Sequence, residues 1–235
     1  MRPVFVTGTD TDAGKTFCSE ALIHALQSHQ QSCRVLKPVA AGAEYETTDN
    51  EHSQLRNDDA RRLLAATGAA ITPLTYHQAN PFCFAPAIAP HIAAQQVHQR
   101  VSVEQLLQHY NELPRDAHWC VVEGAGGWLV PLNEQQSLAD FAQALGAPVV
   151  LVVGMKLGCL NHALLTVADI ERRGLQLAGW IANNTQAEVM PNYAENVATL
   201  QQRIAAPLLA EVPFQKQANP AAAATRFDVT SWLNN

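Results

Sequence analysis

With 235 residues, the chain is long enough for one α/β domain with a sizeable core. Hydrophobic residues make up 48% of it, which excludes a disordered chain, and a net charge of -6 without a Lys/Arg run excludes nucleic acid as the main partner. No signal peptide is evident, and the longest apolar stretch, Ala147 to Met155, is strand-sized, so a cytoplasmic protein without a membrane partner is expected. The five cysteines (18, 33, 83, 120 and 159) read as reduced thiols without metal-ligand spacing, and the nine histidines form no H-x-x-x-H pair with a third ligand.

The first element is a candidate strand, 3–7, around Val4-Phe5-Val6. It runs into Gly8-Thr-Asp-Thr-Asp-Ala-Gly-Lys15-Thr16, a full match to G-x-x-x-x-G-K-[ST]. A helix over 15–29 follows, with Ala21, Leu22, Ala25 and Leu26 at helical spacing. Strand, glycine loop and helix together point to a nucleotide. Backbone N–H groups curl around phosphate oxygens, and the helix N-terminus adds a positive field. Lys15 supplies a cation to the β- and γ-phosphates, and the Thr16 hydroxyl is placed to ligate Mg²⁺.

The next strand, 33–39, holds Val35-Leu36-Lys37-Pro38-Val39. A lysine inside an apolar run is costly to bury unless it is paired or faces a cleft. Its place at a strand end favours a second cation for the transferred phosphoryl group or an anionic substrate over a snorkelling surface lysine. Segment 40–56, polar and acidic, reads as an irregular loop over the site. A helix over 57–66 opens with Asp58 and Asp59; residue type alone favours a capping role, with a Mg²⁺ or ribose contact as the alternative. Segment 73–90, with Pro73, Pro81, Pro86 and Pro90, reads as a second irregular loop.

After a helix over 102–112, the strand 118–123 reads Trp119-Cys-Val-Val-Glu123 and runs into Gly124-Ala125-Gly126-Gly127. An acid closing an apolar strand is the Walker-B placement, opposite the loop threonine. A helix over 137–145 precedes the strand 148–154, which leads into Gly154-Met-Lys156-Leu-Gly158-Cys159-Leu-Asn161-His162. The helix 160–173 thus starts behind glycines, either as an anion site or as an ordinary β-α loop. The strand 177–183 ends in Asn183-Asn184, suited to an adenine edge but also common in turns. A helix over 191–204, a strand over 208–212 and a connector from Gln215 to Ala224 complete the chain. The alternation predicts an α/β fold: a mostly parallel sheet covered by helices on both faces, P-loop NTPase-like, with 1–235 as a single domain and ligands beyond the carboxyl ends of the strands.

Taken together, Phe5–Thr16, Lys37-Pro-Val-Ala40, Leu55-Arg-Asn57 with Asp59, Val122–Trp128, Lys156-Leu-Gly-Cys159 with Asn161-His162, and Gly179-Trp with Ala182-Asn183 resemble the dethiobiotin synthetase family. The blocks span nearly the whole chain in family order. The resemblance implies ATP- and Mg²⁺-dependent ring closure of 7,8-diaminononanoate with CO₂ or bicarbonate, by way of a carbamate. It implies catalytic roles for Lys37, Lys15 and Thr11. It places ATP against Asp12, Ala13, Gly14, Lys15, Thr16, Phe17, Asp59, Glu123, Gly124, Ala125 and Gly126, with Asn183, Asn184 and Pro213 on the adenine side. Mg²⁺ would lie on Thr16, Asp59 and Glu123. Substrate would meet Ala41, Lys156, Gly158, Cys159 and Asn161, the last four from the other subunit of a homodimer. Three features depart from the family pattern: Ala41 stands where a Ser or Thr is usual, Asp12 where a Glu is common, and the adenine-side segment from Val212-Pro213-Phe214 to Asn219-Pro220 matches only loosely. A paralogous amine ligase stays open through Ala41. A nucleotide switch of the partitioning or iron-protein type would carry a lysine where this chain has Asp10.

Overall fold

A computed structural model describes residues 1–47 and 53–233. Its centre is a six-stranded sheet built from β1 (Arg2–Gly8), β2 (Cys33–Leu36), β7 (Trp119–Glu123), β8 (Val149–Gly154), β9 (Leu177–Asn183) and β10 (Leu208–Val212). The strand order is β10-β9-β8-β1-β7-β2, and every paired neighbour is parallel. Every residue of β7 and β8 is buried, as apolar runs covered on both faces must be. Along β8, Val150 and Val152 pack into the cluster around α1 (Lys15–Ser28), while Leu151 and Val153 pack against α7 (Cys159–Arg172) and α8 (Tyr193–Arg203). That alternation across the pleat is what sets helices on both faces. The helices α5 (Val103–Glu112) and α6 (Leu138–Leu145) start at Ser102 and Ser137, whose hydroxyls accept the N–H of Gln105 and Asp140 in reciprocal capping boxes.

β1 lies between β7 and β8, so the chain leaves it towards one side of the sheet and later returns to the other. Such a switch point opens a crevice at the carboxyl ends of the strands. Val6 of β1 lies in register with Glu123, and Leu36 with Val122. The next residues along, Lys37 and Glu123, therefore emerge side by side.

The structure corrects several expectations. The strand expected over 33–39 ends at Leu36. Pro38 has no N–H for a ladder, and the Lys37 N–H turns to Ala79 O at 2.6 Å. Val39–Ala41 then forms β3, which pairs with β6 (Phe82–Phe84) in a separate small sheet. The segment expected to be irregular over 40–56 contains β3 and an antiparallel hairpin of β4 (Glu44–Thr47) and β5 (Ser53–Arg56); its residues 48–52 lie outside the described residues. The proline-rich segment 73–90 is not a loop: it holds α3 (Pro73–Ala79) and β6, and α4 (Pro90–Gln96) begins at its end. Pro73 and Pro90 each sit in the first helical turn, where a missing N–H costs nothing. Helix α2 (Asp58–Thr67) is capped by Asn57, not by its aspartates. The tail after Gln215 forms α9 (Pro220–Ala223) and α10 (Thr230–Leu233).

Candidate active site

The loop between β1 and α1 wraps a 3₁₀ turn over Thr11–Ala13, capped by the Asp10 carboxylate, which accepts the Thr11 N–H at 2.8 Å. Gly14 closes it with φ 81°. A Cβ there would lie 2.2 Å from Asn183 Nδ2, so both the left-handed backbone and the space demand glycine. Lys15 is 5% exposed. Its Nζ donates to the carbonyls of Asp10 (3.1 Å), Thr11 (3.2 Å) and Gly126, tying the phosphate loop to the glycine turn after β7. Burial pulls the Lys15 pKa down to about 8, with the Lys37 charge acting in the same direction.

A cavity of about 840 Å³ opens in front of this loop. Thr11, Asp12, Gly14, Lys15, Thr16 and Phe17 form its floor, and Lys37, Asp59, Ala125 and Gly126 one flank. Ala40, Ala41, Ile88, Val130 and Pro131 form an apolar wall. At its base lies a charged knot. Lys37, 2% exposed, donates from Nζ to Glu123 Oε1 (2.6 Å), Asp59 Oδ2 (3.0 Å) and the Gly124 carbonyl (3.1 Å). The Thr16 hydroxyl donates to the same Glu123 Oε1 at 3.0 Å. Burial works against the Lys37 charge, but Glu123 and Asp59 outweigh it and hold its pKa above the ordinary value. Burial likewise works against Asp59, and Lys37 outweighs it, keeping that carboxyl below its usual range.

The donor set suits a small hard cation. Glu123 is fully buried, and its Oε2 has no hydrogen-bond partner. A buried carboxylate oxygen without a partner is rare and calls for one. Among the described residues no group of three or more His, Cys, Asp or Glu is arranged to hold a metal. Two carboxylates and a threonine hydroxyl, completed by water and phosphate, fit Mg²⁺ rather than a transition metal.

The other residues singled out in the sequence divide plainly. Those expected on the adenine side lie behind the loop. Asn183, 4% exposed, donates its amide to Ala13 O at 2.8 Å, and Asn184 is buried beside it. Neither they nor Pro213 lines the cavity; Thr185 does. Ala13 and Gly124 are buried beneath the lining. Lys156 bonds Asp10 Oδ2 at 2.8 Å, while Gly158, Cys159 and Asn161 at the start of α7 stay outside the cavity of their own chain. Arg62, paired twice with Glu20 (3.2 and 2.6 Å), reaches the lining without any sequence motif to mark it. Tyr76 and Asn80 are hidden in the supposed loop 73–90. Thr72 before Pro73, with Thr75 three residues on, is a helix-start signal that would have exposed them.

The sequence matches the family model described as "AAA domain" over residues 2–222. It is 48% identical over 230 residues to the ATP-dependent dethiobiotin synthetase of Cellvibrio japonicus, covering 98% of this chain and 97% of that one. The corresponding protein of Pseudomonas aeruginosa is 46% identical over 230 residues, covering 97% of each chain. A MinC:MinD cell division protein complex from Aquifex aeolicus superposes with a TM-score of 0.55 at 10% identity, over 92% of this chain and 83% of that one, a likeness of fold alone. Phosphate loop, closing acid and strand-end lysine thus stand in a sequence shared along its length with these relatives, and the chain belongs to the ATP-dependent dethiobiotin synthetase family.

Proposed function

We propose that this protein is an ATP- and Mg²⁺-dependent cyclo-ligase that closes the ureido ring of dethiobiotin from 7,8-diaminononanoate and CO₂, releasing ADP and phosphate in biotin biosynthesis. One observation carries it: Lys15, Thr16, Lys37 and Asp59 line one cavity, with Glu123 buried behind them on Thr16 and Lys37, in a chain 48% identical to a dethiobiotin synthetase. One amine takes up CO₂ to give a carbamate. A carbamate oxygen bonds to the γ-phosphorus of ATP as ADP leaves. The second amine then attacks the carbonyl carbon, and phosphate leaves as the ring closes. Phosphoryl transfer asks mainly for positioning and charge neutralisation. Lys15 neutralises the phosphates in the ground state, and Lys37 meets the charge that builds on the transferred group. Thr16, Asp59 and Glu123 would hold Mg²⁺, which would supply positive charge to neutralise the phosphates. Thr11 and the loop amides cradle the reacting groups, and the wall from Ala40 to Pro131 takes the aliphatic chain.

Phosphate release from Mg–ATP is expected to require both 7,8-diaminononanoate and bicarbonate, with a cyclic urea detected by mass. Release indifferent to the diamine overturns the assignment. Asp10 argues against a nucleotide switch, because it is an acid paired with Lys156.

The active form in this reading is a homodimer in which the start of α7 meets the substrate carboxylate in the partner's cavity. Leu157 beside it is 95% exposed, with Leu165 at 63% and Leu129 at 56%, an apolar surface that suits a second copy. Mixing Lys37→Ala and Asn161→Ala variants should restore about a quarter of wild-type activity if each site draws on both chains. No recovery, with a monomer by light scattering, removes the shared site. A cytoplasmic location fits five free cysteines. Among the described residues no helix is long and apolar enough to cross a membrane.

A further inference from the structure

Tyr76 lies outside every motif that marks the site, yet its hydroxyl stands between the two segments that set Lys37 and Asp59. It is 1% exposed, on α3. Its Oη accepts the backbone N–H of Asn57 at 2.7 Å and donates to Asn80 Oδ1 at 3.0 Å. Asn57 is the N-cap of α2, two residues before Asp59. Asn80 donates from Nδ2 to the Lys37 carbonyl at 2.7 Å and to the Phe82 carbonyl at 3.2 Å. The Lys37 N–H is taken by the neighbouring Ala79 carbonyl. Both backbone groups of Lys37 are therefore held by residues 79 and 80. The Lys37–Asp59 ion pair at 3.0 Å closes the ring back to α2. Asn57 also donates from Nδ2 to the Ala41 carbonyl at 3.3 Å, which brings β3 and its cavity wall into the same network.

Lys37 follows the last residue of β2 and precedes a proline, so no ladder fixes its backbone. The order at that point comes from side chains. Buried networks of this kind specify geometry when every member is satisfied. Burial pushes the Tyr76 phenol up, so it keeps its proton and remains a donor to Asn80. Asn57 and Asn80 are 7% and 2% exposed, so loss of the hydroxyl would strand a buried amide oxygen and leave the Asn57 N–H only the weak acceptor of the Cys83 thiol, which lies 3.5 Å from the hydroxyl.

We infer that Tyr76, with Asn80 as its relay, is a positioning residue that fixes the Lys37 ammonium relative to Asp59 and Glu123 for phosphoryl transfer. The inference rests on the assignment of Lys37 and Asp59 to that reaction. It goes beyond it in naming a residue that touches neither substrate nor metal.

The test is Tyr76→Phe, which keeps the ring in the core and deletes only the hydroxyl. Turnover should fall about tenfold, because a small displacement of Lys37 is felt chiefly in the transition state. KM for ATP should change by less than about twofold. Val197→Ala, in the separate cluster around α8, is the stability control: it should lower Tm without lowering kcat. Asn80→Ala should match Tyr76→Phe, and the double variant should lose less than the product of the two factors. Unchanged kcat in Tyr76→Phe, or a loss that Val197→Ala reproduces at equal Tm, overturns the inference. Hydrogen exchange reads the same coupling without turnover. Faster exchange at the Asn57 amide, with weaker protection of 57–60 on adding Mg–ATP, supports it, and unaltered exchange overturns it. A wild-type enzyme inactive on the diamine would sink the assigned reaction and leave the exchange result to decide on Tyr76.

Discussion

Replacing Lys37 with alanine is expected to lower turnover on the order of 10³-fold while changing ATP affinity by less than about threefold. The split follows from where the ammonium sits. In the proposed reaction Lys15 serves the ground-state phosphates from the loop. Lys37 is held at the strand end by Glu123 and Asp59, at 2.6 and 3.0 Å, beside the glycine turn. A cation fixed there by protein groups needs no reorganisation when charge develops on the transferred phosphoryl group. The substitution also removes the counter-charge from a fully buried carboxylate, a loss worth about 3–5 kcal/mol where nothing replaces it. Mg²⁺ is the natural replacement, so Mg²⁺ should raise the Tm of Lys37→Ala by more than it raises that of the wild type. Steady-state phosphate release, calorimetric ATP binding and thermal melts with and without Mg²⁺ check the three parts. Wild-type turnover in the variant would take Lys37 out of the reaction altogether.

How much of the molecule is legible in the chain depends on how local each signal is. The phosphate loop is nine consecutive residues with a strand before it and a helix after it, and it sits as its spacing requires. The six sheet strands are legible because each is a short, mainly apolar run, fully buried in β7 and β8 and mostly buried in the others. Lys37 stands out because a charge in such a run demands a partner, but the partner is 86 residues away and no periodicity names it. Asp59 illustrates the limit more sharply. Residue type alone favours a helix cap, yet Asn57 caps α2, and Asp59 is free to reach Lys37. The prolines of 73–90 mislead because they read as breakers, when Pro73 and Pro90 sit at helix starts where proline is well tolerated. Asn183 shows a different gap. The same amide suits an adenine edge or a loop carbonyl, and only the fold shows it donating to Ala13.

Glu123→Gln is expected to raise the Mg²⁺ concentration needed for half-maximal turnover by about tenfold or more, and to lower turnover at saturating Mg²⁺ on the order of 10²-fold. The change is nearly isosteric, so cavity and sheet are left intact. It removes the negative charge that faces Thr16 and Lys37, and it replaces one carboxylate oxygen with an N–H₂ that repels both a metal and the Lys37 ammonium. The same substitution predicts a stability signature in EDTA. In the wild type the folded pKa of Lys37 lies above its unfolded value, so its ion pairs contribute stability fully below about 10.4 and lose it as pH rises through the folded pKa. In the variant, burial is opposed by Asp59 alone, and the lysine carries its charge at greater cost. That cost fades as the lysine of the unfolded chain also deprotonates. The Tm gap between wild type and Glu123→Gln should therefore be widest near neutral pH and narrow towards pH 10. A gap independent of pH would mean that Lys37 and Glu123 are not energetically coupled. Full activity at low Mg²⁺ would mean that the closing acid of β7 is not the metal's ligand, and that Glu123 serves only as the buried counter-ion of Lys37.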